Sequence, residues 1–148
     1  MDRGQLSLRP SVSTLDGLRR QARLAGEKYT VLAERYLVEG LAMDEHPGIH
    51  FVDGAMGRRP ALAGTGLDVW EIVEVVKAND GSAEEAAAYL EKDVAFVHTA
   101  LRYYGSHRVE IDEWIARVRE FNEREEAIWR AARAAVAGWL ADPPATQG

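Results

Sequence analysis

The chain has no cysteine, which excludes disulfides, thiol nucleophiles, cysteine zinc sites and iron–sulfur clusters. It also lacks a long apolar run. Nothing approaches the ~18 residues of a membrane-spanning helix. Met1-Asp2-Arg3-Gly4 leads into no stretch of signal-peptide type, so a cytoplasmic, non-membrane protein is expected. An excess of positive charge is missing too: 18 Lys and Arg face 24 Asp and Glu, a net of −6, which argues against a uniformly basic nucleic-acid coat. No repeat or low-complexity tract is visible. What remains is 148 residues, 47% of them hydrophobic, enough for one domain or two small ones.

Catalytic vocabulary is equally thin. The four histidines are His46, His50, His98 and His107. His46 and His50 are four apart, but Pro47-Gly48 between them denies a shared helical face, so a helical two-histidine zinc site is not available. Surface or capping roles are expected for all four. Gly64-Thr65-Gly66 lacks the glycine and lysine of a phosphate-binding loop. Asp112-Glu113 and Glu84-Glu85 are neighbours in sequence and do not face each other on a helix. No nucleophile has an evident base. The expectation is a protein that is not an enzyme, with no catalytic residue, metal or cofactor.

Charge is unevenly distributed. Residues 1–43 carry seven basic and five acidic side chains, 44–65 two and three, and 66–148 nine and sixteen. A slightly basic N-terminal segment thus precedes a strongly acidic body. That asymmetry suits two partners of opposite charge, although solubility alone explains an acidic body.

Gln5-Leu6-Ser7-Leu8-Arg9 alternates polar and apolar with period two, which predicts a short half-buried strand ended by Pro10. Leu15, Leu18, Ala22 and Ala25 then recur at helical spacing, with Ser13 or Thr14 as cap and Gly26 as stop. A second helix follows, capped by Thr30, with Leu32, Ala33, Tyr36, Leu37, Gly40 and Leu41 as its buried stripe. A lone strand of this length is not stable, and the first 43 residues offer no second one. The economical solution is another copy of the chain. Two strands would pair antiparallel about a two-fold axis, Leu6 and Leu8 facing a four-helix core and Gln5, Ser7 and Arg9 facing out. A two-stranded ribbon fits the DNA major groove, where Gln pairs with adenine, Arg with guanine and Ser with either. The competing reading is a structural dimerisation arm whose polar side chains are merely solvated.

Strand, two short helices, the Gly26 turn and the Glu39-Gly40-Leu41 ending together resemble the ribbon–helix–helix family over residues 4–43. The resemblance implies base readout by Gln5, Ser7 and Arg9. It also implies a phosphate anchor at the start of the second helix, near Tyr29, Thr30 and Val31, where free N–H groups and the helix dipole attract an anion.

A turn or linker over 44–48 leads to a second domain over 49–118. Ile49-His50-Phe51-Val52 and Pro60-Ala61-Leu62-Ala63 are expected to pair as a hairpin. Helices are expected over 68–79, 82–90 and 93–104, with Ser82 and Glu85 forming a capping box. The last two, joined by a turn at Glu91-Lys92, have helix-turn-helix spacing. Their acidic surroundings, Glu84, Glu85, Glu91 and Asp93, oppose phosphate and favour a scaffold or protein-binding role. Arg58, Arg59 and Arg102 are kept as secondary DNA contacts. Residues 49–115 also resemble small antitoxin-associated domains of winged helix-turn-helix type that accompany PIN-class ribonuclease toxins. The matching residues are Gly57-Arg58-Arg59-Pro60, Gly64-Thr65-Gly66-Leu67-Asp68-Val69-Trp70, Gly81-Ser82-Ala83-Glu84-Glu85 and Ala100-Leu101-Arg102-Tyr103-Tyr104. Where that family has Arg-Ile after Gly-Thr, Gly66-Leu67 stands here.

The last helix is expected from about 108 to 140, stopped by Asp142-Pro143-Pro144, with a frayed tail after it. Some 33 residues span ~50 Å, so its distal part either projects or folds back. Residues 119–148 are the candidate toxin-binding segment, with Arg124, Arg130 and Arg133 to meet an acidic cleft and Ile128, Trp129 and Trp139 as anchors.

The expected fold is mainly α: an N-terminal ribbon–helix–helix with a dimeric β-ribbon, then a helix-turn-helix-like domain with a small β-hairpin and a long C-terminal helix. The resemblances imply a VapB-type antitoxin, a homodimer, with higher oligomers open, that binds operator DNA and neutralises a PIN-type ribonuclease. The alternatives are a stand-alone transcriptional regulator and a dimeric interaction module that does not bind DNA.

Overall fold

The computed structural model describes residues 2–145. Six helices and one small sheet follow in chain order: α1 (Val12–Ala25), α2 (Tyr29–Glu45), β1 (Ile49–Val52), β2 (Arg59–Leu62), β3 (Leu67–Asp68), α3 (Val69–Ala78), α4 (Ala83–Leu90), α5 (Val94–Ser106) and α6 (Arg108–Ala141). The protein is mainly helical, as expected. The expected tail after 145 lies outside the described residues.

Residues 2–11 form no strand in the single chain. The five-residue alternation has no neighbouring strand to pair with, and a strand without a partner leaves its N–H and C=O groups unpaired. Helix α1 starts earlier than expected. Ser11, not Ser13 or Thr14, is the N-cap, its Oγ accepting from the Thr14 N–H at 3.2 Å. Gly26 ends the helix in the left-handed region at φ 67°, and the Glu27 N–H reaches back to the Ala22 carbonyl at 3.0 Å, a glycine C-terminal cap. Thr30 lies inside α2, and Lys28 occupies its N-cap without a side-chain bond.

The buried side of α2 also differs from expectation. Leu32, Glu39 and Ala42 are buried, whereas Tyr36, Leu37 and Leu41 are exposed. These are two different faces of one helix. Ala42 joins the core of the following domain, while the Leu37–Leu41 side has nothing over it in one chain. Because α2 runs through Asp44 and Glu45, the turn shortens to 46–48.

The hairpin is present, with Ile49 opposite Leu62 and Phe51 opposite Pro60. A third strand, β3, was not expected. Thr65 Oγ1 donates to the Leu62 carbonyl at 2.8 Å and accepts the Leu67 N–H at 3.0 Å, folding 64–66 into a tight turn. That turn lays Leu67 and Asp68 against Leu62 and Ala61. Helix α3 packs at the centre. Its Val69, Ile72, Val73 and Val76 meet Leu62 from the sheet, Ala86 and Ala87 from α4, Val97, Ala100 and Tyr103 from α5, and Ile111 and Ile115 from α6. The alanines matter because they let α4 lie close to its neighbours. Ser82 caps α4 by accepting the Glu85 N–H at 3.2 Å. The full reciprocal box forms instead at α3, between Asp68 and Glu71. Glu91 closes α4 at φ 55°, and Asp93 opens α5 by accepting the Ala95 N–H at 2.8 Å.

Helix α6 is one continuous helix of 34 residues. Ile111, Trp114 and Ile115 are buried against the domain. From residue 119 to 141 every side chain but Glu125 is exposed. Of the two paths open from the sequence, projection is the one adopted.

Candidate nucleic-acid and partner interfaces

The N-terminal segment lies along α1 and α2 rather than apart from them. Leu6 and Leu8 line an open groove with Leu15, Leu18, Ala33 and Leu37. Arg3 meets Glu34 at 2.8 Å, pinning the start of the segment to α2. Leu6 and Leu8 remain 67% and 65% exposed, so the groove is apolar and only partly filled. Gln5, Ser7 and Arg9 are exposed.

At the start of α2 a second concavity is lined by Arg19, Ala22, Arg23, Glu27, Lys28, Tyr29 and Thr30. The Arg19 guanidinium sits 5.3 Å from the Tyr29 ring centre. Since Lys28 provides no cap, the first-turn N–H groups of α2 receive no side-chain acceptor from it. Three cations therefore surround an uncapped helix start. The one acid there, Glu27, is bonded to Arg35 on the next turns of α2. Tyr29 and Thr30 thus lie at this cationic helix start, while Gln5, Ser7 and Arg9 lie on a segment that forms no strand in the single chain.

Arg58 and Arg59 have other work. Arg58 forks onto the buried Glu39 carboxylate, Nε at 2.6 and 2.9 Å and Nη2 at 2.6 Å, and adds Asp53 at 3.2 Å. The hydrogen bonds to Glu39 hold its pKa above the ordinary arginine value. Arg59 pairs with Asp68, which also accepts from the Trp70 indole at 3.0 Å. Both guanidiniums are committed to carboxylates, one fastening α2 to the hairpin and the other fastening the hairpin to α3. Arg102 is exposed on α5. Glu39 is the residue sequence reasoning missed. In the sequence it is only part of a helix ending, yet a carboxylate 7% exposed demands a cation, and it takes Arg58, which the sequence offered as a secondary DNA contact.

A cluster that the sequence did not foretell joins the ends of α2 and α5. Ser106 Oγ lies 3.1 Å from His46 Nε2 and 3.1 Å from His107 Nδ1, and the His107 ring stacks on Tyr103 at 4.0 Å. His46 and His107 are the C-terminal caps of the two helices. Among the described residues no carboxylate pairs with either ring, and no three His, Asp or Glu side chains are grouped to hold a metal ion. Burial holds the Tyr103 phenol well above its ordinary pKa, with Glu110 adding to it.

On α6, Arg124 and Arg130 make loose pairs with Glu120 and Glu126 one turn back, at 3.8 and 3.7 Å. Arg133 is exposed. Ile128, Trp129 and Trp139 are 60%, 63% and 56% exposed. No helix among the described residues is long and apolar enough to cross a membrane.

Comparison with known proteins returns no matching family model, no matching curated protein and no matching solved structure.

Proposed function

We propose that the chain is the antitoxin of a type II toxin–antitoxin pair, of VapB type, acting in the cytoplasm as a homodimer without cofactor. Residues 2–11 of two copies pair as a ribbon, closing the apolar groove of α1 and α2 over Leu6 and Leu8. Gln5, Ser7 and Arg9 then read base edges in the major groove, and the cationic start of α2 at Tyr29 and Thr30 seats a backbone phosphate. The projecting part of α6 engages a PIN-type ribonuclease, its arginines meeting the acidic metal-binding cleft of such an enzyme.

One observation carries the DNA half of this reading. An apolar segment of period two lies unpaired over an open groove, beside an uncapped helix start ringed by Arg19, Arg23 and Lys28. With Arg58 and Arg59 held by carboxylates, the N-terminal unit is the better DNA-binding face than the hairpin. The test is a titration of the full chain against duplex DNA from upstream of its own gene, at several salt concentrations. Binding by an even number of chains, weakening as salt rises, is expected. Absence of binding would leave the dimeric interaction module. Tight binding with no effect of the chain on RNA cleavage by the neighbouring gene product would leave the stand-alone regulator.

A further inference from the structure

Charged side chains gather where α1 turns into α2. Arg19, Arg23, Glu27 and Lys28 all line the concavity at the start of α2. Arg35 does not line it, and instead lines a separate concavity with Val31, Glu39 and Arg58. Among the described residues Arg19, Arg23 and Lys28 form no salt bridge, whereas Glu27 pairs with Arg35, whose Nη1 donates to Oε1 at 2.5 Å. That hydrogen bond, opposed by burial, holds the Arg35 guanidinium above its ordinary pKa. The other carboxylate near Arg35 is Glu39. It lies 4.0 Å from Arg35 Nε and is already held by the hydrogen bonds from Arg58. Glu27 is thus the carboxylate that Arg35 bonds.

Without that bond the carboxylate has other cations within reach. Glu27 precedes Lys28 directly and follows Arg23 by four residues, and all three side chains line the same hollow. A carboxylate released there would pair with them and fill the place of an incoming anion. The first-turn N–H groups of α2 would remain, but fewer cations would stand beside them. Oε2 of Glu27 is buried without a hydrogen-bond partner, so among the described residues Arg35 is the side chain that fixes this carboxylate. We propose, on the reading of this helix start as a phosphate seat, that Arg35 is a positioning residue for it: Arg35 holds Glu27 aside and leaves Arg19, Arg23 and Lys28 all available to the anion. Arg35 stands six residues beyond Tyr29, about 9 Å along the axis at 1.5 Å per residue. That is about a Debye length at physiological salt, so its own charge reaches the anion weakly and its effect runs through Glu27.

The test is an NMR titration of the full-length chain with inorganic phosphate at constant pH and ionic strength, followed through the amide signals of Tyr29, Thr30 and Val31. Arg35→Met keeps the aliphatic stem of a half-buried side chain. It should weaken phosphate binding by roughly two- to fivefold. Arg20→Met, the same loss of charge at an exposed position of α1, should weaken it less. Adding Glu27→Gln to Arg35→Met should restore the wild-type affinity, and Glu27→Gln alone should raise it less than about twofold. A mere staple between the turn and α2 would destabilise the fold without showing this rescue. A loss in Arg35→Met that Glu27→Gln fails to restore overturns the proposal, as does an Arg35→Met chain that binds like Arg20→Met. A gain of about fivefold in Glu27→Gln alone also overturns it, because the carboxylate would then already sit among the cations. That last result needs no folded Arg35 variant. Unshifted amides in the wild-type chain overturn the phosphate seat and the role of Arg35 together. The expected rescue with phosphate, but no binding of duplex DNA from upstream of the gene, would support the role of Arg35 and sink the DNA reading alone.

Discussion

Residues 49–118 and the segments on either side of them use apolar side chains in opposite ways. In the central domain Leu62, Ile72, Val97, Tyr103 and Ile111 are sealed, and its arginines at 58 and 59 are neutralised by carboxylates. In the N-terminal segment and distal α6, Leu6, Leu8, Leu37, Leu41, Ile128, Trp129 and Trp139 face solvent. Fully burying such a side chain is worth roughly 1.5–3 kcal/mol, and here that gain is not taken within one chain. Segments that leave apolar surface open are where a protein of this size meets other molecules. The contrast supports the proposal that the two ends, rather than the middle, meet other molecules.

The largest expected effect separates these roles outright. Deleting 122–148 should abolish neutralisation of a ribonuclease partner in an RNA-cleavage assay, while the melting temperature of the remaining chain stays within a few degrees of the full chain. Loss of folding on deletion would show that the distal helix belongs to the scaffold. Next, Ile72→Ala in the core should cost about 2–5 kcal/mol by urea unfolding, whereas Leu41→Ala should cost less than about 0.5 kcal/mol in any monomeric form. Equal costs would erase the distinction between a closed centre and open ends. Glu39→Ala should cost about 1–3 kcal/mol, because it strands a partly buried guanidinium at the joint between α2 and the hairpin. Glu39→Gln, which keeps one acceptor, should cost less. Ser82→Ala should remove about 1 kcal/mol by uncapping α4.

The smallest effect is one of pH. The Asp112 carboxyl is held below its ordinary value of 3.8, first by the hydrogen bond from the Tyr104 hydroxyl and then by Lys77 and Arg108. A depressed carboxylate pKa contributes stability above the unfolded pKa, and that contribution is lost as pH falls through the lower folded value. Tyr104→Phe should move the Asp112 pKa back up in an NMR titration. An unmoved pKa would make the two cations its main support.

Much of the fold was legible in residues with a single local meaning. Gly26 and Ser82 mark helix ends because few other residues adopt those roles, and the hairpin follows from two short apolar runs around Asp53-Gly54. The start of α6 and its end near Asp142 were legible, whereas its unbroken course was not, since a helix of that length could equally kink and fold back. Features that depend on distant partners were not. The sequence does not separate the buried face of α2, because Leu37 and Leu41 are as apolar as Leu32, and only the packing of Ala42 into the core and the pairing of Glu39 with Arg58 decide between faces. Likewise Arg58 and Arg59 look like free cations until Glu39 and Asp68, 19 and 9 residues away, are brought to them. Strand β3 is two residues long, too short for any periodicity to register. Residues 5–9 carry the period of a strand without being one in the single chain, since the alternation specifies a face and pairing needs a neighbour.

In the proposed function, recognition of DNA resides in the N-terminal segment and not in the pair α4–α5. Arg9→Ala and Arg102→Ala test it side by side, since both residues are exposed and neither makes an ion pair among the described residues. Affinity for the upstream duplex should fall by roughly 1–3 kcal/mol per guanine contact for Arg9→Ala, with circular dichroism unchanged, and much less for Arg102→Ala. Full binding by Arg9→Ala together with loss of binding by Arg102→Ala would contradict the account and move the reading element to α5.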